Sequence, residues 1–262
     1  MPQNPSIAPS DQYEKTRQAW RDIWTEANFD RELQSLDYAR SQEIINAYLP
    51  YLDRSALNLE AGSGLGQVVY YLQQRGYPMV GLDYAPEALI IARESHPELA
   101  LHVGDVHHLP YPSNYFGSYL SFGVLEHFEQ GPDAALAEAF RVLRLGGALI
   151  ITIPHPNFVE GLRNTINRLD PSRLEKIGHR AEYYERTYAH ADLTSHIQRA
   201  GFEIALVKPT SHSYTFYGLS GIFRGSGYYQ TSAFGEFAGK VGRSLFPWLT
   251  AFGTLICARK PA

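Results

Sequence analysis

The 262 residues include a single cysteine, Cys257, so no internal disulfide is available and a reducing, cytoplasmic setting is expected. Cys257 lies in an apolar run with no activating group beside it in sequence, which argues against a nucleophile. No apolar run reaches the ~20 residues that a spanning helix needs, so stable membrane insertion is not expected. The polar, proline-bearing start from Met1 to Asp11 lacks the charged-then-apolar order of a signal peptide. A formal net charge of −4 leaves no basic excess for a phosphate backbone, and no nucleic-acid partner is expected. There is no Walker-type Gly-Lys-Ser/Thr run, no internal repeat and no low-complexity tract. His107 and His108 make no metal pair: adjacent side chains diverge, and no cysteine or carboxylate completes a ligand set.

What is present is a run of strand ends carrying chemistry. Leu57 to Glu60 reads as an apolar strand ending in a carboxylate, followed by Gly62, Gly64 and Gly66 at alternate positions. Leu65, Val68, Val69 and Leu72 then share one face of a helix. A strand–glycine loop–helix unit lets backbone approach a ligand closely, and the expected ligand is nucleotide-like. The spacing differs from the dinucleotide fingerprint, because the third glycine comes one residue early and Gln67 stands in its place. Three further strand ends follow: Met79–Leu82 into Asp83, Leu99–Gly104 into Asp105, and Phe116–Phe122 into Gly123. Ligands of open α/β sheets bind at the carboxyl ends of the strands, and an acid about 20 residues past the loop is placed to hold a ribose. Hydrophobic content of 44% over this length suits one large core.

These pieces resemble the class I S-adenosylmethionine-dependent methyltransferases, in the broad type 11 or UbiE-like group. The resemblance rests on Glu60-Ala61-Gly62-Ser63-Gly64-Leu65-Gly66, Gly81-Leu82-Asp83, Gly104-Asp105-Val106, Val124 to Phe128 and Phe140 to Gly147, and covers residues 55–155 without a gap. It implies a doubly wound, seven-stranded, mostly parallel Rossmann-like sheet whose last strand is antiparallel. It implies S-adenosylmethionine as cofactor, with its methionine part over Gly62, Ser63, Gly64 and Gly66, and its ammonium near Glu60. Asp83 would take both ribose hydroxyls, and Asp105 the adenine amino group beside the Val106 backbone. Tyr84 and His107 would flank the adenine, and the Phe122 and Gly123 carbonyls would face the sulfonium end. Tyr84 has a plainer reading as packing against the neighbouring helix.

Around this core, residues 1–12 are expected to be disordered and 13–54 to form a helical cap, with the methyltransferase core over 55–262. Insertions at 154–190 and 209–248 leave the carboxyl edge and are expected to cover an acceptor site. The second is rich in aromatics, from Tyr214 to Phe237. It reads as a satellite core, as an aromatic acceptor pocket, or as a membrane- or polyprenyl-contacting surface using Phe246-Pro247-Trp248-Leu249. His127 and His155, just past strands four and five, are the candidate general bases, each with the alternative of a structural hydrogen bond. The leading function is methyl transfer to a small molecule, with oxygen acceptors favoured over nitrogen or carbon, by a monomer or homodimer. The alternatives are a non-catalytic module that binds S-adenosylmethionine or S-adenosylhomocysteine, and a nicotinamide oxidoreductase.

Overall fold

A computed structural model describes residues 11–169 and 185–262. Seven strands form one sheet in the order β3-β2-β1-β4-β5-β7-β6: β1 Asn58–Ala61, β2 Met79–Asp83, β3 Leu101–Val103, β4 Phe116–Phe122, β5 Leu143–Pro154, β6 Glu203–Thr210 and β7 Gly253–Arg259. β1 pairs in parallel with β2 and β4, whereas β7 runs antiparallel to both β5 and β6. The chain reverses its direction of travel across the sheet between β1 and β4, the switch point where such sheets open a crevice.

The strands are apolar on both faces because helices cover both. On one side α6 (Asp133–Val142) and α8 (His190–Arg199) close a core around Tyr119, Leu149 and Ile256. On the other, α3 (Ala39–Tyr48), α4 (Gln67–Gln73) and α5 (Pro86–Ser95) enclose Leu72, Leu120 and Leu255. Leu65, Val68, Val69 and Leu72 are all buried, so the helical spacing read from the sequence is the face that packs. Cys257 is buried in β7 and its thiol is pushed up to about 12 by desolvation, an inert position.

β1 and β3 differ by one to two residues at their ends from the expected runs, and further shifts lie outside the first four strands. The amino-terminal region is three helices, α1 (Asp11–Glu26), α2 (Phe29–Ser35) and α3; α2 is capped by Asn28, whose side chain accepts from the Arg31 amide. Helix therefore begins at Asp11, inside the stretch expected to be disordered; residues 1–10 lie outside the described residues. β6 runs through Pro209 to Thr210, two residues into the expected second insertion. An edge strand tolerates proline, since the missing amide faces outward. The insertion then holds a short helix α9 (His212–Thr215), an isolated bridge between Arg224 and Thr231, and α10 (Ala233–Leu245), and β7 starts at Gly253 rather than near Leu249. In the first insertion α7 spans Phe158–Leu169, and 170–184 lies outside the described residues.

Candidate cofactor and acceptor site

Three consecutive loop glycines adopt left-handed backbone, with φ of +82° at Gly62, +51° at Gly64 and +77° at Gly66, a path that side chains rarely follow. The loop is strapped to the end of β2. Gly62 and Ser63 amides both donate to the Leu82 carbonyl, and the Gly64 amide donates to Asp83 Oδ2 at 2.8 Å. Asp83 Oδ1 accepts from the Ala85 amide at 2.9 Å. Asp83 thus builds the loop as well as facing the space beside it, and each oxygen keeps a lone pair for a second donor.

A cavity of about 260 Å³ lies against this loop at the carboxyl ends of β1, β2 and β4. Of the residues expected to hold a cofactor, Glu60, Gly62, Ser63, Gly64, Asp83, Tyr84, Asp105, Val106, His107, Phe122 and Gly123 all line it. Gly66 does not: its α-carbon faces the Leu101 side chain, and it serves as the entry to α4. His127 lines the cavity with its ring edge-on to Trp20, centroids 5.1 Å apart. His155 lies elsewhere. β5 carries it toward β7, where its Nδ1 meets Thr254 Oγ1 at 3.1 Å and its ring packs against His190 and Trp248. Burial, with His190 beside it, holds its pKa below the usual imidazole value.

Two of the acids lining the cavity, Glu60 and Asp83, are buried. Glu60 is buried at 3% exposure, and its Oε2 has no hydrogen-bond partner in the structure. Desolvation, with Asp83 nearby, raises its pKa well above the ordinary value. Burial also raises Asp83, against the backbone donors that oppose it. Asp105 differs: burial pushes it up, but His107 donates from its amide at 2.9 Å and pairs through Nδ1 at 2.8 Å, and the net shift is downward. Ser63 Oγ and Gln67 Oε1 are likewise buried without a partner. Polar atoms aimed at a cavity and left unsatisfied cost free energy that a polar ligand recovers.

One wall of the cavity comes from the amino-terminal helical cap, at residues not among the expected site residues. α1 contributes Thr16, Arg17, Trp20 and Trp24, positions spaced three and four apart on one helix face. Extending the Trp20/Trp24 stripe one turn backward would have found Thr16 and Arg17. The two indoles stack at 5.6 Å, and Arg17 lies over the Tyr84 ring at 5.9 Å. A Cβ added at Gly64 would sit 2.5 Å from Trp24 Cζ2, so the indole rests directly on the glycine loop. The expected cover from the insertions is not seen here: no described residue of 154–190 or of 209–248 lines this cavity. The second insertion instead packs on the helical cap, with Arg40 over Tyr214 at 4.5 Å and Arg243 paired to Glu43, which also takes Lys208 of β6.

An open sheet with a nucleotide-sized cavity at its switch point, acids at three successive strand ends and a left-handed glycine loop define the class I methyltransferase type of domain. Residues 59–151 match the family described as methyltransferase domain. Among curated relatives, rice 2-methyl-6-phytyl-1,4-hydroquinone methyltransferase 2 (Oryza sativa subsp. japonica, chloroplastic) is 31% identical over 141 residues, covering 52% of this chain and 36% of that one. The chain spans between 36% and 59% of the length of the first curated relatives it matches. Among solved structures, a chain from the complex of the Haloferax volcanii Trm112 methyltransferase activator superposes with a TM-score of 0.63 at 16% identity, over 93% of this chain and 98% of that one. The 4+2 cyclase SpnF superposes with a TM-score of 0.60 at 18% identity, over 97% and 98%. At such identities the likeness is one of fold, and a fold shared with a cyclase leaves the reaction to be argued from the site.

Proposed function

We propose that this chain binds S-adenosylmethionine in the cavity beside Gly62–Gly64 and transfers its methyl group to a small acceptor with a hydroxylated ring. The observation that carries the reading is Glu60, a buried carboxyl with an unsatisfied oxygen at the mouth of a glycine loop. Burial raises its pKa by disfavouring the charged form, and an ammonium group placed beside it would favour the carboxylate. Asp83 is assigned to the ribose hydroxyls, Asp105 and the Val106 backbone to the adenine edge, and Tyr84 and His107 to its faces. A Cβ at Gly62 would lie 2.3 Å from Val124 Cγ2, so the loop leaves no room for side chains of its own beside a ligand.

Bound here, S-adenosylmethionine supplies a methyl group on a positively charged sulfur, already activated for in-line displacement. The chain's own work is to orient the acceptor and exclude water, which Trp20, Trp24, Phe122 and Phe128 suit as flat apolar walls. Deprotonating a hydroxylated ring raises its nucleophilicity at oxygen and at the adjacent ring carbon, and His127 is the group at the cavity able to take that proton. The phytylated hydroquinone named for the rice relative suggests the class: a phenolic ring with an apolar tail. Entry requires α1 to give way, because Trp24 covers Gly64 and the cavity is small for two ligands. α1 is tied to α5 by Arg21 and Glu87 at 2.6 Å, a surface contact weak enough to open.

Titration calorimetry in buffers of different ionisation enthalpy tests the cofactor assignment. S-adenosylmethionine should bind with release of protons and more tightly as pH rises, because Glu60 ionises on binding. Binding of NAD in preference, or no binding of either, would sink it. Turnover of a 1,4-hydroquinone with methyl-labelled cofactor then separates an enzyme from a binding module. In that assay His127→Ala should lower turnover by about 10²- to 10⁴-fold with little change in cofactor affinity.

A further inference from the structure

We propose that the outer face of α10, with the turns flanking it, docks onto an anionic lipid bilayer surface. α10 is packed inside out. Its three glycines Gly235, Gly239 and Gly242 are buried, and a Cβ at Gly239 would lie 2.5 Å from the Ser213 backbone nitrogen. Its large apolar residues Phe234, Phe237, Val241 and Leu245 fall on one stripe and are between 41% and 64% exposed. An ordinary covering helix of a globular domain does the opposite.

The stripe continues into its surroundings. Ser232 Oγ donates to the Ile222 carbonyl at 2.6 Å, which sets Ile222 (58% exposed) beside the start of α10. At the other end Phe246 and Leu249 are each 56% exposed, and the Phe158 amide donates to the Leu249 carbonyl, bringing in Phe158 at 66%. Trp248 turns inward to stack on His190 at 3.9 Å, so the ridge is formed without it. Contiguous exposed apolar surface on this scale marks an interaction site.

Charge commits the occupant. The chain as a whole carries −4, yet residues 209–248 hold three basic residues, Arg224, Lys240 and Arg243, against one acidic, Glu236. Lys240 sits on α10 beside the apolar stripe, while Arg243 on the same helix is paired with Glu43 of the cap. An exposed stripe of phenylalanine and leucine flanked by a lysine suits a helix lying in a headgroup interface. At 13 residues α10 is too short to span, and among the described residues no helix is long and apolar enough to cross a membrane. The insertion leaves the same carboxyl edge of the sheet that carries the cavity, so docking would bring that edge to the bilayer. Choosing lipid over protein also draws on the tailed-acceptor class proposed above, since such an acceptor resides in a bilayer.

Co-sedimentation of the full chain with vesicles, without cofactor or acceptor, tests this. The wild type should pellet with phosphatidylglycerol–phosphatidylcholine vesicles and less with phosphatidylcholine alone. Phe237→Glu and Val241→Glu should each cut partitioning at least about tenfold, the effect of losing one buried apolar side chain. Lys240→Glu should weaken binding to the anionic vesicles alone. An unchanged thermal midpoint and unchanged cofactor affinity in these variants would show that the fold and the methyl-transfer site are intact, so the two readings fail separately. Absence of vesicle binding, or binding indifferent to Phe237, would overturn the proposal. A dimer in sedimentation velocity that Phe237→Glu dissociates, with no vesicle binding, would overturn it in favour of a second copy of the chain.

Discussion

The two halves of the sheet's carboxyl edge use glycine for opposite ends. Beside β1 and β2, Gly62 and Gly64 take left-handed backbone and clear space, into which Trp24 now leans. Beyond β5 to β7, Gly239 sits in regular helix and lets one backbone settle onto another, at Ser213. The first half collects buried acids and unsatisfied polar atoms; the second turns phenylalanines outward and pairs its charges with the helical cap. A glycine is therefore read by what its missing side chain would meet: the side chains of Val124 and Trp24 at the cavity wall in one case, a neighbour's main chain in the other.

Substitutions at the two glycines should separate these roles. Gly64→Val forces a β-branched residue to φ +51° and drives it into the Trp24 indole. Cofactor affinity by calorimetry should fall by about a hundredfold, the upper range of an overpacking cost. Normal binding would mean that the loop is an ordinary turn and the ligand lies elsewhere. Asp83→Ala comes next. It removes a candidate ribose partner and also the acceptors of the Gly64 and Ala85 amides, so affinity should drop at least about tenfold, with a lowered thermal midpoint as well. Gly239→Ala should show the reverse pattern. Backbone at 2.5 Å has little freedom to retreat, so α10 must lift, costing about 1–3 kcal/mol of stability while cofactor affinity stays put. Equal loss of cofactor affinity in Gly239→Ala would merge the two halves into one functional unit.

The sequence read well where chemistry is local. β2 and β4 have the bounds expected from their apolar runs, and Glu60, Asp83 and Asp105 do meet at one cavity, because strand order alone brings successive strand ends together. It read poorly where long-range packing decides. His155 shares its position past a strand end with His127, but β5 neighbours β7, and that contact turns the imidazole to Thr254 instead of the cavity. Thr16 and Arg17 reach the site only because α1 folds back across it. The aromatic wealth of 209–248 was plain, but whether it faced the cavity or solvent depended on three glycines taking the inner face of α10, which periodicity of apolar residues cannot report.

Glu126 tests the seam between the halves, and its effect should be the smallest. It lies in the turn after β4, its carbonyl accepts from the Arg186 amide at 2.8 Å, and its carboxyl is buried with Oε2 unpartnered. Desolvation pushes its pKa up to about 8, with Glu185 adding to the effect. Between the ordinary carboxyl value near 4.5 and about 8, the native state keeps a proton that the unfolded chain has released. The native state then binds more protons, so stability is full at the acid end of that window and declines as pH rises through it. One proton sets a ceiling of about 1.4 kcal/mol per pH unit. For a domain of this size that is about 3–5 °C in thermal midpoint per unit. Glu126→Gln keeps the shape and removes the proton, so its midpoint between pH 5.5 and 8 should fall less steeply than that of the wild type. Some slope should remain, since Glu60 and Asp83 are shifted in the same direction. Parallel curves for the two proteins would mean that Glu126 is solvated or paired in solution, and that the turn joining the two halves is open rather than packed.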